Sequence, residues 1–238
     1  MRISILSLFP EMYDGFLTTS IIKRAIDKSV VEVEVINFRD YSNDKHKHVD
    51  DTPYGGGQGM VIKCQPVVDA IEDIKGDNSV VVFMGPCGKT FNNEIAREMS
   101  KLDHLILLCG HYEGIDERIK EYIDFELSIG DYILTGGELA SMVVSDAIIR
   151  LLAGSIKEES HLEESFENNL LEHNQYTKPF DFRGLKVPEV LLSGHHANIK
   201  KHRLTDSLIK TKTIRPDLFE KHLFTKEELA ILKEIEND

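Results

Sequence analysis

The chain has 238 residues, of which 41% are hydrophobic and 29% charged, and its formal net charge is −13. This composition is close to that of average globular chains, so we expect an ordered fold. The longest apolar stretches, residues 80–84 and 105–109, are far too short to span a bilayer, and no signal peptide is recognisable. Three cysteines without C-x-x-C spacing argue against a zinc knuckle or disulfide frame. We therefore expect a cytoplasmic protein without a membrane segment.

Strand-like and helix-like patterns alternate along the first two thirds of the chain. The predicted strands are residues 2–9, 31–37, 80–84 and 105–109, and the predicted helices are residues 21–28, 66–74, 92–101 and 138–152. The two continuous apolar runs are typical of strands that are covered on both faces. Because strands alternate with helices, the sequence predicts an α/β domain with a parallel sheet, whose ligands collect beyond the carboxyl ends of the strands.

The pattern changes in the last third of the chain. Residues 154–174 are polar, acidic and poor in periodicity, which is typical of a mobile linker. Helical patterns follow at residues 205–210 and 225–235, the latter opening with an N-cap pattern, Thr225 and a glutamate three residues later. We therefore predict a catalytic domain, a linker and a helical domain, with the boundaries 1–155, 156–175 and 176–238.

Positive charge is concentrated near the C-terminus of this acidic chain. Residues 178–215 contain nine lysines and arginines against three acidic residues. Charges farther apart than about 10 Å are screened at physiological salt, so a local basic region can bind a polyanion despite the net charge. A solvated helical surface explains the same charges equally well.

Three glycine-bearing segments, residues 85–90, 110–114 and 129–138, follow apolar or strand-like stretches. The first ends in Gly-Lys-Thr like a phosphate-binding loop, but that motif needs a glycine where Phe83 stands, and Pro86 removes one amide donor. The other two combine glycines with apolar side chains and carboxylates, which suits a nucleoside-like ligand, although ordinary turns are the commoner explanation of the spacing.

Two further segments have unusual compositions. Residues 46–51 (HKHVDD) contain metal-binding residue types, but they lack a helical scaffold, and a solvated loop is the favoured explanation. Residues 54–60 (YGGGQGM) have four glycines within five positions, which costs conformational entropy on folding. Such a composition indicates close contact between backbone and a ligand.

Eight strings, in order over nearly the whole chain, together resemble the bacterial tRNA (guanine-N1)-methyltransferase family. They are LFP at 8–10, VDDTPYGGGQGM at 49–60, GHYEGIDER at 110–118, SIGDYILTGGE at 128–138, DAIIR at 146–150, EESF at 163–166, QYTKP at 175–179 and LLSGHHANI at 191–199. Each string alone is weak evidence, whereas eight in register are specific.

The resemblance implies the SPOUT fold, an α/β domain with a parallel sheet and a deep trefoil knot, followed by a small all-α C-terminal domain. It implies S-adenosylmethionine as methyl donor, bound within the knot, and an obligate homodimer with shared active sites. The implied product is 1-methylguanosine at tRNA position 37, made where guanosine precedes it, with the C-terminal domain gripping the anticodon arm. Magnesium is implied to assist, although the sequence shows no ligand set for it.

The resemblance also implies site residues. Guanine N1 must lose a proton, after which negative charge spreads to O6, so the reaction needs a base and a cation. The base falls at Glu164 and the cation at Arg150. The S-adenosylmethionine site falls at Phe83, Met84, Gly85, Pro86, Gly110, Tyr112, Glu113, Ile129, Gly130, Asp131, Tyr132, Ile133, Leu134, Gly136 and Gly137. The guanosine and tRNA contacts fall at Asp50, Tyr54, Gly55, Gly56, Gly57, Gly59, Ser165, Lys178, His196 and Arg203.

Several positions depart from the family pattern. Glu164 stands where an aspartate is usual, and the neighbouring Glu163 is a weaker candidate for the base. Gly85 replaces serine, Lys178 replaces arginine and Asn174 replaces a common proline. Two alternatives remain for the function: a SPOUT methyltransferase that acts on a different RNA, and a non-enzymatic RNA-binding protein that has kept the fold.

Overall fold

The computed structural model describes residues 1–155, 165–166 and 168–237, and the chain divides into two compact units, Met1–Glu158 and Glu159–Asp238. The elements of the first unit are β1 (Arg2–Ser7), α1 (Asp14–Thr18), α2 (Ser20–Asp27), β2 (Glu32–Asn37), β3 (Asp50–Asp51), β4 (Val61–Ile62), α3 (Cys64–Ile74), β5 (Ser79–Thr90), α4 (Asn93–Met99), β6 (His104–Cys109), β7 (Phe125–Ser128) and α5 (Glu138–Ile149). Those of the second are β8 (Asp181–Phe182), β9 (Leu185–Lys186), α6 (His196–Ile214), α7 (Pro216–Lys221) and α8 (Lys226–Asn237). Within these ranges, every helix is too short or too polar to cross a membrane.

Five parallel strands form the sheet of the first unit, in the order β2-β1-β6-β5-β7. The central strand β6 pairs with β1 on one side and β5 on the other, and all six of its residues are buried. Helices on both faces of the sheet explain why this strand is a continuous apolar run. The parallel α/β architecture predicted from the sequence is confirmed.

The two faces of β6 belong to two separate hydrophobic cores. Leu105 and Leu107 pack with residues of α2, α4 and α5, whereas Ile106 and Leu108 pack with residues of α3 on the opposite face. Successive side chains of a strand point to opposite faces, so four consecutive leucines and isoleucines serve both cores. All four are completely buried, which holds the carboxyl end of the strand in place.

Strand β5 is longer than the sequence predicts. Its pairing with β7 skips residues 85–88, so the first glycine-bearing segment is a bulge in the strand rather than a loop that leaves the sheet. A Cβ on Gly88 would collide with the backbone of Glu126, and the Glu126 carboxylate accepts the Cys87 amide at 2.9 Å. The loop prediction is wrong at this point because β7, a distant strand that the sequence analysis missed, holds the segment. A segment that is held within a strand does not form a phosphate-binding loop, so that alternative is excluded.

The second unit differs in two respects from the predicted all-α domain. Helix α6 has 19 residues and extends well beyond the predicted segment 205–210, because its polar sequence conceals the helical period. A short antiparallel hairpin, β8–β9, precedes it. Its two turn residues, Arg183 and Gly184, have φ of 56° and 87°, the left-handed backbone of a tight hairpin turn, and Asp181 accepts the Gly184 amide at 2.8 Å. The prediction of a purely helical domain is therefore wrong.

The N-cap predicted at Thr225 is confirmed. The Thr225 hydroxyl accepts the Glu228 amide at 3.3 Å, and the Glu228 carboxylate accepts the Thr225 amide at 2.6 Å, a reciprocal capping box. The same carboxylate lies 3.1 Å from Nε2 of the buried His222. Burial disfavours the charged carboxylate, yet these hydrogen bonds hold the pKa of Glu228 below its ordinary value of 4.5.

We expect Glu228→Gln to lower the stability of the second unit by about 1 kcal/mol at neutral pH, since the negative charge in the first turn of α8 and beside His222 is lost. The pKa of Glu228 is lower in the folded than in the unfolded chain, so its contribution is present above 4.5 and disappears on acidification. The thermal unfolding temperatures of variant and parent should therefore converge as the pH falls through the lowered pKa of Glu228. Glu227→Gln, which changes an exposed carboxylate of the same turn, is the control. A difference that persists unchanged in acid would contradict the assignment.

Candidate active site

The second and third glycine-bearing segments follow β6 and β7, and together with the bulge at 85–88 of β5 they enclose a cleft of roughly 280 Å³. Small-molecule sites begin at about this size. Of the residues that the resemblance assigns to S-adenosylmethionine, all but Asp131 line the cleft. They are Phe83, Met84, Gly85, Pro86, Gly110, Tyr112, Glu113, Ile129, Gly130, Tyr132, Ile133, Leu134, Gly136 and Gly137. The cleft also includes six residues that were not predicted, His111, Gly114, Leu127, Ser128, Thr135 and Ala140.

The second and third segments cross in direct contact. The Gly137 amide donates to the Gly110 carbonyl at 2.9 Å, and His111 forms an antiparallel bridge with Gly136. A Cβ on Gly137 would lie 2.8 Å from the Cα of Cys109, so no larger residue fits there without moving backbone. The cleft is therefore bounded by two chain segments that only a glycine allows to approach so closely.

A group of buried polar side chains lies beneath the cleft, at the start of α5. Glu138 is 2% exposed, and its carboxylate accepts a hydrogen bond from the Ser7 hydroxyl at 2.8 Å. The Tyr13 hydroxyl lies 2.7 Å from the Ser141 hydroxyl and 3.4 Å from Sγ of Cys109. Burial raises the pKa of the Cys109 thiol to about 12, so the thiol stays protonated at neutral pH and is a poor nucleophile. These side chains support the cleft.

His111 and Tyr112 form one wall of the cleft. Tyr112 has φ of 59°, an uncommon backbone conformation for a residue with a side chain. The His111 ring packs against Phe9 and Tyr112, with centroids 4.9 and 5.0 Å away. Its Nδ1 is buried and has no hydrogen-bond partner among the described residues. A buried nitrogen of this kind in a cleft wall is a place for a polar ligand atom. The sequence analysis missed His111, although it lies inside the string GHYEGIDER.

The glycine-rich segment 54–60 is joined to the second cleft segment. The Glu113 amide donates to the Met60 carbonyl at 3.1 Å, and the Ile62 amide donates to the Gly114 carbonyl at 3.0 Å. The predicted guanosine contacts of this region are Asp50 in β3, the fully exposed Tyr54, and four glycines with positive φ, Gly55, Gly56, Gly57 and Gly59. The structure thus places Met60, the last residue of the glycine-rich segment, beside the cleft residue Glu113.

Arg150, the assigned cation, does not line the cleft. Arg150 is the C-cap of α5, a helix of 12 residues whose first turn contributes Ala140 to the cleft. At 1.5 Å per residue, Arg150 lies about 18 Å along the helix from its first residue, which separates it from the cleft of its own chain. The proposed base Glu164 and the weaker candidate Glu163 lie outside the described residues.

A second cavity, of roughly 460 Å³, lies beside α6 in the C-terminal unit. Two predicted tRNA contacts, His196 and Arg203, line it together with Lys200 of the same helix. Ser165, which was also assigned to the substrate, accepts the Glu172 amide at 2.9 Å.

Two remaining predictions concern exposed residues. Lys178 is exposed and precedes a cis peptide bond to Pro179. In the segment 46–51, His48 Nδ1 lies 2.9 Å from an Asp44 carboxylate oxygen that also accepts the His46 amide. Across the described ranges, no three His, Cys, Asp or Glu side chains are placed to hold a metal ion.

Comparison with known proteins gives a consistent result over the whole chain. Residues 1–221 match the family model described as tRNA (Guanine-1)-methyltransferase TrmD. A tRNA (guanine-N(1)-)-methyltransferase from Clostridium beijerinckii is 59% identical over 239 residues, covering 100% of both chains. Proteins of the same name from Clostridium botulinum strain Langeland (56% over 236 residues, 98% of each chain) and Malacoplasma penetrans (55% over 223 residues, 94% of this chain and 99% of the relative) are also similar. The chain belongs to the tRNA (guanine-1)-methyltransferase family.

Proposed function

We propose that this protein transfers a methyl group from S-adenosylmethionine to N1 of guanosine 37 in tRNA, beside the anticodon, where guanosine precedes that position. The observation that carries the proposal is the convergence of three distant segments on one cleft, two of which, 110–114 and 129–138, belong to the family strings GHYEGIDER and SIGDYILTGGE. Because the proposed substrate is tRNA, we also propose that the protein acts in the bacterial cytoplasm.

The residues of the cleft suit the methyl donor. Phe83, Leu127 and Leu134 supply apolar walls for an adenine ring, and Glu113 supplies a carboxylate for the positively charged part of the ligand. When bound, S-adenosylmethionine supplies an electrophilic methyl group. The close crossing of Gly137 over Cys109 supports the knotted topology, because the knot requires segments to pass within contact distance beyond the sheet.

The methyl acceptor needs a base and a cation. Guanine N1 becomes nucleophilic only as its proton leaves, and we assign the removal of that proton to Glu164. Negative charge then develops on O6, where the Arg150 guanidinium stabilises it. The glutamate carboxylate extends about 1.5 Å farther than an aspartate would, so its backbone must lie correspondingly farther from N1. The described residues contain no cluster of side chains that could hold magnesium, and no step is assigned to this ion.

A second copy of the chain would complete the site. Arg150 is remote from the cleft of its own chain, so it must serve the cleft of another subunit if it contacts the reacting guanine. Leu139 and Val143, one turn apart on α5, are 50% and 48% exposed, and Met12 is 44% exposed. Apolar surface of this kind is typical of an interface. We therefore propose a homodimer with each active site shared between subunits.

The C-terminal unit is proposed to hold the anticodon arm. His196, Lys200 and Arg203 line one cavity, within the basic stretch 178–215. Lysine and arginine side chains provide the phosphate contacts that dominate affinity for nucleic acids. The exposed Lys178 adds a further positive charge to the same unit.

Methyl transfer from labelled S-adenosylmethionine should occur to a tRNA transcript with guanosine at positions 36 and 37. A transcript with adenosine at 37 should remain unlabelled, because adenine N1 offers no proton to remove and no O6. A third transcript with adenosine at 36 should be labelled more slowly. Equal labelling with guanosine or adenosine at 37 would contradict the position. No labelling of any transcript would favour an RNA-binding protein without activity.

A mixing experiment tests the shared site. Arg150→Ala and Glu113→Ala should each be inactive alone, because each homodimer lacks a needed group in both sites. When the two are co-expressed, half of the dimers are mixed and each has one intact site, so about a quarter of the parent activity should return. If Arg150 serves the cleft of its own chain, the mixture stays inactive.

Gly137→Ala should weaken S-adenosylmethionine binding by about 5- to 150-fold, because overpacking strain of about 1–3 kcal/mol displaces the cleft segments. Titration calorimetry with the methyl donor alone measures this. Gly15→Ala is the control, since a Cβ at Gly15 meets nothing within 4 Å. Equal affinity in both variants would show that the crossing does not shape the donor site.

A further inference from the structure

The bulge in β5 forms part of the cleft wall. The pairing of β5 with β7 skips residues 85–88, and Gly85 and Pro86 of this bulge line the cleft, together with Met84 before it. Backbone groups that leave the regular ladder of a sheet need hydrogen-bond partners from elsewhere. The position of this part of the wall therefore depends on what binds the bulge.

Glu126 of β7 binds the bulge through its side chain. One carboxylate oxygen, Oε1, accepts the Cys87 amide at 2.9 Å, and the other, Oε2, lies 3.9 Å from Nζ of Lys120. The Glu126 side chain is only 17% exposed. Because Cys87 directly follows Pro86 in the chain, this hydrogen bond acts one residue away from the cleft wall.

Gly85 makes the bulge depend on this carboxylate. A serine, which the family pattern has at this position, can accept the amide two residues later with its hydroxyl, whereas glycine offers no side-chain acceptor. A Cβ at Gly85 would also collide with Oε1 of Glu126, so the carboxylate occupies the space that a larger residue would need. The Cys87 amide is therefore left to Glu126.

The same glycine lies against the aromatic wall of the cleft. A Cβ at Gly85 would lie 2.6 Å from Cε1 of Phe83, and a Cβ at Gly110 would lie 2.9 Å from Cε2 of the same ring. The Phe83 ring, which lines the cleft, is thus packed between two glycines from different segments. A shift of the bulge would move one side of this packing, so the orientation of the ring depends on the backbone at Gly85.

We propose that Glu126 is a positioning residue for the methyl donor. Its hydrogen bond to the Cys87 amide fixes the bulge, and the fixed bulge keeps Pro86 and the Phe83 ring in place to contact the donor. The described residues that line the cleft do not include Glu126, so it acts through its neighbours. The inference rests on the proposed function, which places S-adenosylmethionine in this cleft.

A direct electrostatic role of Glu126 is the alternative. S-adenosylmethionine carries a positively charged sulfonium, which a nearby carboxylate attracts without contact. Positioning needs an oxygen that reaches the Cys87 amide, whereas attraction needs the negative charge. The two requirements can be separated, because glutamine keeps the reach and loses the charge, while aspartate keeps the charge and is shorter by about 1.5 Å.

Titration calorimetry of the full chain with S-adenosylmethionine tests the proposal. Glu126→Ala should weaken binding about five- to tenfold, because the bulge loses its hydrogen-bond partner. Glu126→Asp should be weakened nearly as much, since the shorter side chain does not reach the Cys87 amide. Glu126→Gln should bind within about twofold of the parent, because its carbonyl oxygen accepts the same amide.

Steady-state kinetics separate the placement of the donor from a general loss of structure. In Glu126→Ala, KM for S-adenosylmethionine should rise, whereas kcat at saturating donor and KM for tRNA should stay within about twofold of the parent. A chain that is merely less folded has less active enzyme, which lowers the apparent kcat and leaves KM for the donor unchanged.

Glu117→Ala is the matched control. The Glu117 carboxylate lies 3.0 Å from Nζ of the same Lys120, but its side chain is 81% exposed, so this variant should bind the donor like the parent. Thermal unfolding identifies any variant that fails to fold. If Glu126→Ala fails, the comparison of Glu126→Asp with Glu126→Gln decides.

The outcomes distinguish the inference from the proposed function. If the parent and Glu117→Ala do not bind S-adenosylmethionine, the proposed function is wrong, and the inference is overturned with it. If both bind and the Glu126 variants bind equally well, the inference alone is overturned. It is also overturned if Glu126→Asp binds like the parent while Glu126→Gln does not, or if Glu126→Ala lowers kcat and leaves KM for the donor unchanged.

Discussion

The approach of Gly137 to the backbone of Cys109 is the constraint on which the rest of the cleft depends. Cys109 is the last residue of a strand that is buried on both faces, so its backbone is held in place by close packing. The segment before α5 must therefore adopt a path that fits against the Cys109 backbone. That contact places the Gly137 amide on the Gly110 carbonyl and starts α5 at Glu138, whose buried carboxylate is then held by Ser7. The position of a ligand is thus set by the interior of the sheet rather than by the loops alone.

The sequence predicted well what local pattern determines. The central strands followed from apolar runs, the cap at Thr225 from the residue three positions on, and the cleft residues from family strings that lie in register. What it missed depends on contacts between distant residues. The bulge at 85–88 exists because β7 lies alongside it. The burial of His111 Nδ1, which has no hydrogen-bond partner among the described residues, depends on how distant segments pack around the ring. The sequence analysis predicted only part of helix α6, because its polar sequence has no clear apolar stripe.

The proposed chemistry divides its groups among parts of the molecule that are separate in the chain. The proposed donor cleft belongs to the first unit, the proposed cation Arg150 is the C-cap of α5, and the proposed base Glu164 directly precedes Ser165 in the chain. In this scheme none of the three suffices alone, because a proton must leave guanine N1 only when the methyl group is in line. An arrangement of this kind suppresses wasteful transfer to water or to a wrong base. Specificity then comes from assembly, in addition to the contacts of any one pocket.

The strand order of the sheet has a consequence for how the chain reaches this structure. Strand β1 is synthesised first, yet its partner β6 lies about a hundred residues later, with Ser4 beside Ile106. Pairings of such long sequence separation close late, since the loop entropy must be overcome before the contacts form. During translation the apolar residues of β1 therefore lack their β6 partner until β6 has left the ribosome. Until then only one edge of β1 has a sheet neighbour, and the exposed strand is a point at which chaperones or aggregation compete with folding.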